Sequence, residues 1–487
     1  MKNGSSSRIP LLDGEAAADP WWCRWWVLGV YSYASGLQGL LWMTYSSVPD
    51  ASKAFLGCGD GTLNTILIEG PIAYVLVVVF ASWLFTTAGG LKRSVLAGCS
   101  MCAFAAALRC LPALLLRDQG SALAMALVYA AQFINAGAAP FTQASPALIS
   151  QAWFPLEQRG LATAIARQSN SAGRAVGFFL APALVSTKAD LPRFLYVELG
   201  VALLPLLCAL AYFPAGPRRP PTRSAASLSS TIAEAAKPPP RAAAASSSSP
   251  PRLGSAVGGA GGAGAGTRAE VLAVLRDGLA LLRQRSRLAM LVGAFGLQMG
   301  VYGAWSGILP QVLKSGGSGF TSTDAGTLGS VNTFAGIAGG VLAGYLADTK
   351  ALSTRLRLVM MVLCAASFAA FAAFAFMVQR PQLGDGGMPS FVAIAAVSTL
   401  AGGFRGGLDP LFFELSTELA HPVPPGTVGG LLTMYVHLVM IAFLAIPSGV
   451  LDSAAMLSCA VTMLVCGAMV ASVRETYNRR RLDLGNG

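Results

Sequence analysis

Charged residues make up only 11% of this 487-residue chain, and histidine occurs twice, at His421 and His437. A soluble domain of ordinary composition carries about a quarter of its residues as charges, so a freely soluble globule is excluded. The two histidines lie far in sequence from the Cys99-x-x-Cys102 pair, and seven of the nine cysteines sit inside apolar runs. They read as small packing residues, so no metal site and no redox pair is expected. Also missing are a phosphate-binding P-loop, an ABC-type signature, an HExxH pair and a GxSxG in a strand-turn-helix setting. Without these, ATP-driven pumping and the commoner hydrolytic chemistries have no residues to act through. The chain reads as a non-enzyme that uses no cofactor. Residues 1–20 lack the apolar core of a cleaved signal peptide, and the Leu11-Leu12 pair has Ser7 where a dileucine sorting signal usually has an acid.

What is abundant is apolar surface and glycine. Hydrophobic residues account for 54% of the chain, glycine for 55 positions, and mean hydropathy is +0.59. That is the profile of an all-α membrane protein that crosses the bilayer many times. Runs long enough for a hydrocarbon layer of about 30 Å occur at 25–46, 64–86, 94–116, 122–145, 161–185 and 194–213. Six more follow at 288–312, 325–347, 356–378, 390–417, 426–449 and 453–473. The expected architecture is therefore twelve transmembrane helices in two six-helix bundles, 25–213 and 288–473. A tail (1–24) precedes them, a tail (474–487) follows, and 214–287 joins them. That joining segment opens with a Pro/Ser/Ala/Gly mixture that buries too little apolar surface to order itself, and it is predicted to be a disordered linker.

An even number of crossings puts both termini on one side. With that side taken as cytoplasmic, it holds 24 of the 34 Lys/Arg residues against 6 on the other, and 13 against 6 without the linker. The net charge of +12 is thus a topology signal, and no nucleic-acid partner is implied.

The halves echo each other. The loop after the eighth span, GYLADTKALSTRLR, carries Gly344, Asp348 and following basic residues; the loop after the second, LFTTAGGLKR, is a degraded copy with threonine in place of the acid. The G-x-x-x-D-basic pattern resembles the major facilitator superfamily. A narrower resemblance is to solute carrier family 49, carried by GLQGLLWMTYSSV (36–48), EGPIAY (69–74), WFPLEQRGLATAIA (153–166), GVYGAWSGIL (300–309), DPLFFELSTELAHPVPPGT (409–427) and RETYNRRRLDL (474–484). Within that family the chain is most like the disrupted in renal carcinoma 2 branch and less like the branch of the feline leukaemia virus subgroup C receptors. The resemblance implies a transporter of small organic solutes by alternating access: pyridoxine with protons for the first branch, choline, ethanolamine or haem for the second. It also implies a lysosomal or vacuolar membrane, with the plasma membrane as the alternative.

Site residues are named against that background. Trp42 and Tyr45 match an aromatic position with which choline-carrying members hold the quaternary ammonium, and Gln38 shares the face of Trp42. A desolvated indole is worth about 2 kcal/mol to a cation; lipid or core packing is the alternative reading. Tyr302 and Trp305, three apart on the seventh span, could form the opposite wall or pack in the core. Each charge in a span costs roughly 2.5–3.5 kcal/mol at a helix centre, so each is a site hypothesis. Arg167, Asn170, Ser171 and Arg174 recur at helical spacing. The resemblance puts Ser171 where choline carriers have glutamine, and Arg174 would repel a cation, so it either takes an anionic group or pairs with an acid. Arg405 and Asp409, four apart, are placed to neutralise each other, and Glu414 and Glu418 to meet basic loops as a gate. Glu69 is read as a surface acid or a proton acceptor, and His437 as a pocket-lining or proton-exchanging group. The expected partners are a small-molecule solute, the lipid bilayer and protons as a candidate coupling ion, with the protein a monomer. A receptor or scaffold that binds without transporting is the other function class.

Overall fold

The computed structural model describes residues 19–116, 120–235, 263–307, 309, 313, 322–379, 390–446 and 448–485. Every regular element among them is helical. The first half comprises α1 (Trp21–Trp42), α2 (Pro49–Leu56), α3 (Asp60–Phe85), α4 (Gly90–Leu115), α5 (Ala122–Ala138), α6 (Pro140–Gln143), α7 (Pro146–Trp153), α8 (Arg159–Leu184) and α9 (Leu191–Ala211). Then come α10 (Arg223–Ala235) and α11 (Ala263–Gln284). The second half holds α12 (Ser286–Gly307), α13 (Ser322–Ala347), α14 (Leu356–Gln379), α15 (Phe391–Ala420), α16 (Pro425–Leu444), α17 (Ser448–Ser472) and the short α18 (Asn478–Asp483).

Among the described residues nine helices are long and apolar enough to cross a bilayer, with α5 to α7 counted as one span, Ala122–Trp153, interrupted just before Pro140 and Pro146. The three remaining crossings of the twelve are α1, α8 and α17. α8 fails the test of apolarity because it carries Arg159, Arg167, Gln168, Asn170 and Arg174, all but the last of which are buried. Its polar face is turned into protein, as a membrane helix with ionisable groups requires. Leu76, Phe104, Leu207, Leu358 and Phe376 point outward as a lipid-facing belt, and Trp21, Trp22 and Trp26 stand exposed at the start of α1, where an aromatic girdle belongs.

The helix pairings repeat. In the first bundle α1 packs on α8, α3 on α5 and α4 on α9; in the second the corresponding pairs are α12 with α16, α13 with α15 and α14 with α17. The bundles meet along two seams, α8 with α13 and α3 with α16, which exchange under the same pseudo-two-fold relation. With lipid as the alternative neighbour, helices associate by close van der Waals approach, which needs small residues. The α1–α8 crossing is the tightest approach of backbone to backbone among the described glycines: a Cβ built on Gly173 would lie 1.7 Å from the carbonyl oxygen of Gly36. Backbone stands on the far side and cannot swing away. Gly173→Ala is therefore expected to cost about 1–3 kcal/mol by overpacking, read as a lowered melting temperature of the purified protein; an unchanged melting curve would show that α1 and α8 are not in this contact.

The segment 214–287 departs from the expected disordered linker. Residues 236–262 lie outside the described residues, but α10 and α11 on either side of them are helices, and α11 packs on α3, where the indole nitrogen of Trp83 donates to Glu270 at 3.0 Å. Within 270–284, Val271, Leu275, Leu279 and Leu282 recur at helical spacing. Averaging them with the Pro/Ser/Gly tract upstream hides that stripe. The ends of the first crossing also shift: α1 begins at Trp21, so the first four residues of the helix fall in the segment read as tail.

Candidate functional site between the two bundles

Where the bundles face each other, α8 supplies Arg167. It is only 5% exposed, and its guanidinium carbon lies 5.8 Å from the ring of Phe295 on α12 and 5.7 Å from that of Phe413 on α15. A cation from one bundle thus rests against an edge-to-face pair of phenylalanines of the other, whose own centroids are 5.6 Å apart. On the second seam Tyr74 of α3 stacks on His437 of α16, ring centroids 3.6 Å apart and planes 8° from parallel. The Nδ1 of His437 is 2.8 Å from the carbonyl oxygen of Thr433, an acceptor, so Nδ1 carries the hydrogen and the Nε2 lone pair is left to accept.

The other expected site residues divide by bundle. Gln38 is buried within the first bundle, its amide donating to Asn135 O (3.2 Å) and its Oε1 accepting from Asn170 (2.8 Å) and Gln143 (3.3 Å). Trp42 closes α1 with its indole on Gly70 of α3, where a built Cβ would fall 1.5 Å from the ring. Tyr45 is buried beneath the Arg109 guanidinium, 5.7 Å from its ring centre. Ser171 accepts a hydrogen bond from Arg174 at 3.0 Å. Glu69 is partly exposed next to Gly70, with one carboxylate oxygen buried and without a partner among the described residues. In the second bundle Tyr302 donates to Asn332 at 2.7 Å and carries the Arg405 guanidinium 3.9 Å above its ring. Trp305 packs edge-on against Phe371 and Phe374, both at 5.9 Å. Arg405 and Asp409 are 3.5 Å apart, and Gln298 donates to the same carboxylate at 3.4 Å. The ring neighbours of Trp42 and Tyr45 thus lie in the first bundle and those of Tyr302 and Trp305 in the second. Apolar spacing alone does not distinguish a helix face turned to its own bundle from one turned to the divide.

The end that carries both termini is fastened by charge. Asp348, just past α13, accepts from the backbone amides of Gly160 (2.7 Å) and Leu161 (2.9 Å) at the start of α8, satisfying donors that a helix N-terminus leaves free. Gly344 lets α13 approach, since a Cβ there would lie 2.6 Å from Gly160 O. Burial pushes the Asp348 carboxyl up to about 6, against the pull of the two amides. α18 inserts beside this contact. Arg479, 2% exposed, donates to Glu414, to Glu418 (2.9 Å) and to Gln151 of the first bundle (3.3 Å). Its own amide and that of Arg480 donate to the second oxygen of Glu418 at 3.0 and 3.2 Å. Burial alone would disfavour the charged guanidinium, but the two carboxylates outweigh it and hold Arg479 well above its ordinary value. Arg159 pairs with Asp483 at 3.0 Å, and Glu414 also accepts from Thr163 of α8. The tail therefore ties both bundles together.

Four residues escaped the reading of the sequence. Arg479 and Asp483 lie in a tail whose docking no local pattern announces. Arg109 and Glu198 form an ion pair inside the first bundle at 3.8 Å, bridged by the Thr44 hydroxyl. Glu198 is an acid in the middle of the run LYVELGVALL, which marks it as a residue needing a partner.

Comparison with known proteins gives the arrangement its relatives. A family model described as Major Facilitator Superfamily matches residues 26–444. The Solute carrier family 49 member 4 homolog of Xenopus tropicalis is 26% identical, with 98% of this chain and 97% of the relative covered. The Choline/ethanolamine transporter FLVCR2 of Homo sapiens is 24% identical over 88% of this chain and 72% of its own length. Among solved structures, the transporter FucP in its outward conformation superposes with a TM-score of 0.61 at 15% identity, covering 92% of this chain and 99% of that one. The proton:xylose symporter XylE gives 0.54 at 14% identity, covering 94% and 97%.

Proposed function

The chain belongs to the Major Facilitator Superfamily, and from that premise we propose that it is a secondary-active or facilitative transporter moving a small organic solute across a membrane by alternating access. The observation that carries this reading is the pair of symmetric seams, fastened at one end by Asp348 and by Arg479 and enclosing the polar and aromatic groups around Arg167 between the bundles. Releasing one end while closing the other would expose that centre alternately to the two sides. The Lys/Arg bias assigns the fastened end and both termini to the cytoplasm. The names of the relatives and the family resemblance make a choline-like and a pyridoxine-like solute the first to compare, in a lysosomal, vacuolar or plasma membrane. Trp42, Gln38, Tyr45, Ser171, Tyr302 and Trp305 shape the path from within each bundle under this reading, and His437 and Glu69 are the groups through which a proton would couple.

Net uptake of radiolabelled solute into vesicles reconstituted with the purified protein tests this. Uptake that saturates, against none in empty vesicles, is the expected result; binding without net movement would favour a receptor or scaffold. If His437 carries the coupled proton, His437→Gln is expected to abolish the stimulation of uptake by an imposed pH gradient while leaving exchange at equal pH within about twofold. Full retention of that stimulation would remove His437 from the coupling scheme.

A further inference from the structure

Among the described residues Arg167 makes no ion pair and no hydrogen bond, and its Nε is buried without a partner. A guanidinium this deeply buried is normally matched by a carboxylate or by carbonyl oxygens, because an uncompensated buried charge is strongly destabilising. Its two aromatic neighbours, Phe295 and Phe413, lie together at 5.8 and 5.7 Å and accept no conventional hydrogen bond, so its N–H donors are left unspent. Arg174, seven residues along α8 and so on the same face, has Ser171 Oγ as its hydrogen-bond partner and lies within charge–charge range of both Arg167 and Arg405. The carboxylate that acts on Arg174 is that of Asp409, already paired with Arg405. Arg174 and Arg405 thus have one carboxylate between them, and Arg167 has no carboxylate partner among the described residues. Beside them stand flat surfaces of Phe295, Phe413 and the Tyr74–His437 stack.

Resting on the transporter reading above, we propose that the solute carried is an organic anion, a molecule with a carboxylate or phosphate and a flat apolar part, and that Arg167 receives its anionic group with Arg174 as the second donor. The planar fork of N–H donors suits both oxyanions, since either can take two parallel hydrogen bonds. The aromatic faces take the remainder of the solute and exclude water, which strengthens the charge pairing. A quaternary ammonium would meet two unbalanced positive charges at the same point, which disfavours it.

Binding is measured first, on the purified full-length chain, by calorimetry with pyridoxine 5′-phosphate, 4-pyridoxate, pyridoxine, choline and inorganic phosphate. One or both of the two ring-bearing anions are expected to bind at least tenfold more tightly than pyridoxine, choline or phosphate alone, and the two anions separate phosphate from carboxylate recognition. Arg167→Gln is expected to lose at least tenfold of anion affinity, and Arg167→Lys to keep part of it. Should Arg167→Gln fail to fold, Arg167→Lys and Arg174→Gln carry the same test, each with a loss of at least threefold for the anion and none for pyridoxine. Tighter binding of choline than of either anion, or anion affinity untouched by all three substitutions, would overturn the proposal. Flux in vesicles separates the two levels of inference: anion binding through Arg167 without movement sinks the transporter reading alone. Choline flux indifferent to Arg167 sinks the anion site and leaves transport standing.

Discussion

Replacing Arg479 by glutamine is expected to unfasten the terminus-bearing end of the protein. The substitution removes the counter-charge of Glu414 and Glu418 together, both nearly fully buried, and cuts the hydrogen bond to Gln151 that reaches the first bundle. Breaking a buried ion pair by deleting one partner costs about 3–5 kcal/mol, and every 1.4 kcal/mol is a factor of about ten in a two-state ratio. The closed form should therefore lose roughly two to three and a half decades of population relative to open forms, in which the carboxylates reach water. Hydrogen–deuterium exchange reads this directly. Peptides over 159–163 and 478–483 are expected to exchange far faster in Arg479→Gln, while peptides within α4 and α14 keep their protection. A triple variant that also carries Glu414→Gln and Glu418→Gln leaves no carboxylate stranded and is expected to regain much of the closure. Unchanged exchange at 159–163 in the single variant would mean that the tail rests on the gate without holding it.

How far these features were legible in the sequence depends on the range over which each is encoded. The crossings are local, written in apolar runs of bilayer length, and the pairing of Arg405 with Asp409 is encoded in their spacing of four. The polar face of α8 was legible too, since Arg167, Asn170, Ser171 and Arg174 fall on one face of a membrane helix. What spacing could not supply is the direction of each face. Trp42 at the end of α1 meets Gly70 of α3, and Trp305 meets Phe371 and Phe374 of α14, contacts set by tilt and rotation within each bundle. Phe295 and Phe413, which cross the divide to Arg167, look in the sequence like any other core phenylalanine. The docking of α18 joins residues more than 300 positions apart, Arg159 to Asp483 and Gln151 to Arg479, and no local pattern encodes such a meeting. α11 differs in kind: its apolar stripe is present in the sequence and was submerged in the composition of its neighbours.

The buried pair Arg109–Glu198 provides the contrast between a charge satisfied inside one bundle and the charge proposed to bind solute. Arg109 has partners on both terminal nitrogens, where Arg167 has none among the described residues: Nη1 donates to Leu41 O at 2.8 Å and to the Thr44 hydroxyl at 2.6 Å, and Nη2 to Gln132 Oε1 at 2.6 Å, while Nε of each arginine is buried without a partner. Glu198 accepts from that same hydroxyl at 2.8 and 3.0 Å. These groups link α1, α4, α5 and α9 inside one bundle and none of them reaches the second. Arg109→Met is expected to strand Glu198 in the bundle interior and to destabilise the protein by about 3–5 kcal/mol. Arg109→Met with Glu198→Leu removes both charges and is expected to recover most of that loss, because well-packed apolar groups replace a buried pair at little cost. In contrast, the folded fraction of every member of this cycle is expected to bind solute within about twofold of the parent, since the pair never faces the divide. Melting temperatures and calorimetric affinities across the four proteins decide it. A double variant no more stable than Arg109→Met would show that Thr44 and Gln132 depend on the charges themselves. A loss of solute affinity in Arg109→Met that persists in the double variant would move this pair from the scaffold of the first bundle into the path.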